Sequence, residues 1–379
     1  MKICFAGDLF LGGDLRNKTT ETVVDIPIFK NANIRIVNLE QPISDNNVTA
    51  DKCTLYTDSF ALKQLKAMKV DAVNLAHNHI QDKGLEGVIE TIYHLDITKI
   101  GHFGAGRDIV EAKKPYWLTE KIALLGYCEF AKPYLNQIEI ASDNKAGVNP
   151  LRYDSIIQDL NRLNNNQKAI LYFHWGREHV WLPPHADIEL ARRLLEDDRV
   201  LLIIGMHGHR MQGYIDHNGK RAYMCLGNFL FPNFYITPPT QIYYPEEKIY
   251  NCDITRQYHD VYKTTYKKWC FVNRISMLVS FDSITDKATY KFAYQFDDYP
   301  KVIELSGINA RFISLFIWLL SNIYRLPKYL YILIEKINTV TINTLWRLQV
   351  IYFKVNQLGI LPSLKKYALH VKRKAMDEK

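Results

Sequence analysis

Residues 201–213 read LLIIGMHGHRMQG, an aliphatic run that stops at Gly205 and delivers two histidines, His207 and His209, one residue apart. A run this short and this apolar suits a strand buried on both faces of a sheet. Comparable runs recur at 2–7 (KICFAG), 34–40 (IRIVNLE), 71–77 (DAVNLAH), 121–127 (KIALLGY), 169–176 (AILYFHWG) and 222–228 (AYMCLGN). Amphipathic segments separate them. In 84–97, Leu85, Val88, Ile89, Ile92 and Leu95 fall at helical spacing, and in 185–198 Ile188, Ala191, Leu194 and Leu195 do the same. Strand and helix in alternation predict an α/β fold.

The chain has 379 residues, of which 47% are hydrophobic, enough to fill a substantial core. The N-terminus enters a strand-like segment at once, without the apolar stretch and cleavage site of a secretory leader, so a cytoplasmic location is expected. Six cysteines (Cys4, Cys53, Cys128, Cys225, Cys252, Cys270) lie far apart with no C-x-x-C pair, and are read as reduced thiols. The formal net charge is +8, but from Lys301 onward there are 13 Lys and Arg against 4 Asp and Glu, while the first 300 residues hold 35 and 36. All the positive excess belongs to the tail.

In an open α/β sheet, ligands gather beyond the carboxyl ends of the strands. The strand ends here carry metal-ligating residue types: Asp8, Glu40, then Asn74, His77, Asn78 and His79, then His174, then His207 and His209. One such histidine at a strand end is ordinarily a packing or capping residue, and Asp8 or Asn78 alone could make an Asx turn. Glu40 is harder to place that way, because a carboxylate closing an apolar strand needs a partner. The pair His207 and His209, if extended, would face one crevice together. Carboxylate, amide and imidazole ligands in one set suit a divalent ion such as Mn, Zn or Fe. Such an ion activates water and polarises a scissile group, which serves phosphoester, ester or amide cleavage alike. His79, Asp82 and Glu178 are the general acid and base candidates. For Asp82 and Glu178 a helix-start cap, or a hydrogen bond to a ligand histidine, is the alternative role. The glycine cluster at 101–108, GHFGAGRD, completes no phosphate-binding pattern.

Six motifs occur in order: GDLFLG (7–12), NLEQPIS (38–44), NLAHNHIQDKG (74–84), HWGREH (174–179), GMHGHRMQG (205–213) and LGNFLF (226–231). Together they resemble the CapA family of capsule-biosynthesis proteins, associated with poly-γ-glutamate synthesis, over roughly residues 1–232. That family is similar in fold to calcineurin-like metallophosphoesterases. The resemblance implies a two-sheet sandwich flanked by helices, with a metal centre at the strand ends. It implies that Glu40 bridges two metals, that Asp8 and His209 serve one, and that Asn78, His174 and His207 serve the other. His79 would then donate a proton or stabilise charge. Phe10 stands where the metallophosphoesterase pattern has a histidine, so one or two ions per chain are expected. Met206 and Gly208 stand where CapA-like sequences usually carry a histidine and a proline, and His77 where they usually carry Asn.

The expected organisation is a CapA-like domain over 1–300 and a basic, aromatic-rich helical extension over 301–379. Residues 232–253 read as a long cover loop, and 274–282 and 288–296 as a hairpin at a sheet edge. The apolar run 312–324 is closed by Arg311 and Arg325, short of the ~20 residues a spanning helix needs. In the tail, Lys and Arg interleave with Trp, Tyr and Phe. It is read either as a peripheral attachment to the inner face of an anionic membrane or to a membrane synthase, or as helices packed on the body with solvated charges. No recognition motif accompanies the charge, so nucleic acid is not an expected partner. The functional reading is a CapA-like metal-dependent hydrolase or transferase acting on a surface polymer. A phosphoesterase and a non-catalytic, polymer-binding partner of a membrane synthase are the alternatives.

Overall fold

The computed structural model describes residues 1–16, 22–48, 54–129, 138–236, 265–297 and 299–360. Cys53, Cys252, most of the expected cover loop, and Lys365, Lys366, Lys372, Arg373 and Lys374 lie outside the described residues. The first half of the chain supplies strands β1 (Lys2–Leu9), β2 (Val23–Asp25), β3 (Ile34–Leu39), β4 (Ala72–Asn74), β5 (Gly101–Phe103), β6 (Ala105–Gly106), β7 (Tyr116–Thr119), β8 (Ile122–Cys128) and β9 (Gly147–Val148). The second half supplies β10 (Lys168–His174), β11 (Val200–Met206), β12 (Tyr214–His217), β13 (Lys220–Tyr223), β14 (Asn228–Leu230), β15 (Phe234–Ile236), β16 (Thr265–Lys267), β17 (Ile275–Asp282), β18 (Lys287–Gln295) and β19 (Lys301–Leu305).

Two large sheets form. The first runs β2-β19-β18-β17-β1-β3-β4-β5, with β14 joined to β1; the second runs β12-β13-β11-β10-β8-β7. Strands β1, β3, β4 and β5 are parallel, as are β8, β10, β11 and β13, so each set of carboxyl ends opens on one side. The sheets meet face to face. Tyr172 of β10 packs its ring against Phe5 of β1 and Phe103 of β5, with centroids 6.3 and 5.7 Å apart, and donates its hydroxyl to the Ala6 carbonyl at 3.1 Å. The helix Gly84–Thr98 buries Val88, Ile92 and Leu95 in the core of the first sheet. The helix His185–Leu195 buries Ile188, Ala191, Leu194 and Leu195 beside β11. The α/β sandwich of two sheets flanked by helices is therefore the fold of the chain.

Four local expectations change. First, β11 ends at Met206, and both histidines beyond it have positive φ, +88° at His207 and +50° at His209. They occupy a tight loop and not an extended strand, so backbone curvature, not strand alternation, aims them. Second, β17 and β18 do pair as a hairpin, but inside the sheet, because β1 pairs with β17 and β19 with β18. Third, the run at 222–228 is split, β13 lying in the second sheet and β14 in the first. Fourth, residues 301–305 form a strand and the helix Gly307–Ile323 belongs to the body. By its contacts the chain divides into two compact units, Met1–Leu326 and Pro327–Lys379. The second unit contains the helix Lys328–Leu358.

Candidate metal centre

Asp8 reaches the site from β1, where register with β3 sets it beside Asn38. Glu40 follows β3, Asn78 and His79 follow β4, His174 is the last residue of β10, and His207 and His209 follow β11. Gly7 makes the approach possible. A β-carbon there would lie 1.8 Å from the Gly227 carbonyl oxygen, whose own hydrogen bond comes from the Asp8 N–H at 2.9 Å. The histidine loop is held by the His179 N–H on the Gly208 carbonyl (2.8 Å) and by Asn273 Nδ2 on the His209 carbonyl (2.9 Å).

Two groups of ligand atoms result. One atom each from Glu40, His174 and His207 lie within 4.8 Å of one another, and so do atoms of Asp8, Glu40 and His209. Glu40 belongs to both. Asn78 Oδ1 lies 2.8 Å from His174 Nε2, placing the amide beside the first group. All five carboxylate and imidazole members are buried. Asn38 Nδ2 donates to Asp8 Oδ1 at 2.8 Å, and Asn38 Oδ1 in turn accepts from Asn74 Nδ2 at 2.7 Å. Asn74 thus orients a neighbour of the site. His77 sits behind His174, its Nδ1 accepting the His79 N–H at 3.2 Å.

The electrostatics favour a cation. Burial pushes Asp8 up to about 7. Burial first, and the Asp8 charge second, lift Glu40 well above the usual carboxylate range. Burial also holds His209 down at about 3 and His174 well below the ordinary imidazole value, so both rings are neutral and keep a lone pair for a ligand. Oδ2 of Asp8 and both oxygens of Glu40 are buried, and among the described residues no protein N–H meets them in hydrogen-bond geometry. Buried carboxylate oxygens without donors are costly unless something positive meets them. The donor set and its neutral imidazoles fit a divalent ion.

Of the acid and base candidates, His79 and Asp82 form a pair, with His79 Nδ1 2.6 Å from Asp82 Oδ2. The same oxygen accepts the Leu55 N–H at 2.6 Å. Asp82 is therefore held so that it fixes the His79 ring. Glu178 is part-exposed and outside the ligand groups, yet its charge raises both Asp8 and Glu40.

The family model for "Bacterial capsule synthesis protein PGA_cap" matches residues 2–233. The chain belongs to the PGA_cap family. It is similar to the "PGA biosynthesis protein CapA" of Bacillus subtilis strain 168, 27% identical over 241 residues covering 60% of this chain and 62% of the relative. It is also similar to the "Capsule biosynthesis protein CapA" of Bacillus anthracis, 23% identical over 250 residues, 61% of this chain and 60% of the relative. The chain thus spans about three fifths of the length of these curated relatives. The crystal structure of TT1561 of Thermus thermophilus matches over 62% of this chain and 93% of its own, with a TM-score of 0.35 and 12% identity.

Around the centre of this PGA_cap protein stand residues that the sequence did not single out. Asn228 Oδ1 lies 2.9 Å from His209 Nδ1. Phe231 and Trp269 wall the same imidazole, with ring centroids 5.2 and 5.4 Å away, and Phe10 packs into that wall against Phe231 and Phe234. Lys267 Nζ sits 4.4 Å over the Trp269 ring and Arg210 5.0 Å over Trp181. Asn228 was visible as the strand-end polar residue of LGNFLF. Lys267 and Trp269 lie in no periodic segment, and only their neighbours give them away.

Proposed function

We propose that the chain is a metal-dependent hydrolase or transferase acting in capsule or surface-polymer biosynthesis of the poly-γ-glutamate type. Asp8, Glu40, Asn78, His174, His207 and His209 would hold one or two divalent ions, Mn, Zn or Fe. The observation that carries this reading is the pair of buried ligand groups sharing Glu40, whose oxygens no protein N–H among the described residues meets in hydrogen-bond geometry. The polymer assignment follows the names of the relatives. A bound ion would supply Lewis acidity toward a scissile carbonyl or phosphoryl oxygen. The chain's own residues supply the rest. Asp82 holds the His79 ring through Nδ1, leaving Nε2 to deliver or take a proton at the leaving group. Glu178, at the part-exposed side, serves as a base or positions one. Lys267 and Arg210 favour an anionic substrate, which keeps phosphoester cleavage as the second reading.

Elemental analysis of wild type beside a His207→Ala, His209→Ala variant tests the centre. Bound metal in wild type and its loss in the variant are expected; equal, negligible metal in both would remove the proposal. Activity profiling with Mn or Zn restored after chelation, against γ-glutamyl peptides, phosphodiesters and phosphomonoesters, separates the two reactions. Full metal with turnover of none would leave a polymer-binding role.

A further inference from the structure

From 305 to 376 the chain holds 11 Lys and Arg and a single acid, Glu335, whereas the first 300 residues are almost neutral. Charge concentrated in one segment answers to a local anionic partner and not to solubility. The helix Lys328–Leu358 exposes Tyr329, Leu333, Ile337, Val340, Leu348 and Ile351 to solvent, Tyr329 by 72% and Val340 by 63%. At 100° per residue these six fall within about a third of the helix circumference. They form a stripe some 33 Å long, at ~1.5 Å per residue. Lys336, one turn before Val340, borders it, and Lys328 precedes Tyr329. No helix among the described residues is long and apolar enough to cross a membrane. A long apolar stripe bordered by Lys336, on a helix nearly free of acids, is the pattern of a helix lying in the headgroup plane of a bilayer. Separately, the helix Gly307–Ile323 buries Ile317 and Leu320, yet leaves Phe312, Leu315, Trp318 and Leu319 exposed on its other side, next to Arg311. A helix apolar on both faces needs a second cover.

We propose that the helix Lys328–Leu358 docks the chain on an anionic lipid surface, stripe downward, with its lysines at the phosphates. This stands apart from the metal centre and does not need it. The test is flotation of the full chain with vesicles of phosphatidylcholine alone or with about a third phosphatidylglycerol. Two variants, Leu333→Glu with Ile337→Glu and Lys328→Gln with Lys336→Gln, are compared, with circular dichroism and thermal unfolding confirming that each is folded. The expected result is recovery with the anionic vesicles only, weakened about fivefold for each lysine removed, weakened further by added salt, and abolished by the two glutamates. The proposal falls if the full chain stays unbound, if neutral vesicles bind it equally, or if the glutamate variant binds as well as wild type. It also falls if sedimentation shows the stripe covered by a second copy, as a dimer that the glutamates dissociate.

Discussion

Asp8 and Glu40 are a buried carboxyl pair whose charge the fold alone does not compensate. Folded Asp8 lies at about 7, against ~3.9 for an unfolded chain. A raised value means that the stabilising contribution is complete below the unfolded value and is lost as pH climbs through the folded one. In ion-stripped protein, Asp8→Asn should therefore gain on wild type as pH rises from about 4 through about 7. Thermal unfolding of both chains across that range checks it; parallel curves would refute the carboxyl account. With Mn in excess the gain should vanish, because the ion then compensates the charge. Backbone strain offers a second prediction at the same scale. His207 sits at φ +88°, a region that disfavours a β-carbon. His207→Gly should be more stable than His207→Ala by about 1 kcal/mol, although both lose the ligand.

Strands place the candidate ligands, and glycine lets the strands meet. With a β-carbon at residue 7 falling 1.8 Å from the Gly227 carbonyl oxygen, Gly7→Ala must push β14 off β1. We expect a loss of several kcal/mol and of bound metal together, read by thermal unfolding and elemental analysis. Tyr172→Phe is the milder probe of the contact between the sheets. It removes the hydrogen bond to Ala6 but keeps both ring contacts, so about 1 kcal/mol should be lost with metal content unchanged. A larger loss would mean that the hydroxyl orients the ligand strands as well as joining the sheets.

Across the whole molecule, the centre joins elements that are far apart in the chain, since Asp8 and His209 bracket most of the body. An ion that binds only the folded chain stabilises it by about 2.7 kcal/mol at a hundredfold excess over its dissociation constant. Chelation should therefore lower Tm by several degrees, and readdition of Mn or Zn should restore it. The Asp8→Asn, His209→Ala chain, which lacks two members of one group and keeps the other, should respond less than wild type.

The α/β order, the buried strands and the residue types at their ends were legible in the sequence, because aliphatic runs, helical spacing and a polar residue closing an apolar run are local signals. Motif order made the PGA_cap membership legible as well. What each strand-end residue does was decided by tertiary contact. Asn74 turns to Asn38 while Asn78 turns to His174, a distinction that spacing does not contain. The same holds for the bend at His207 and His209, the aromatic wall of Phe231 and Trp269, and the capture of residues 301–305 by β18. Each depends on register with a strand or loop elsewhere in the chain. Local sequence sets which side chains are available, while burial, backbone angle and charge environment exist only once the distant partners have met.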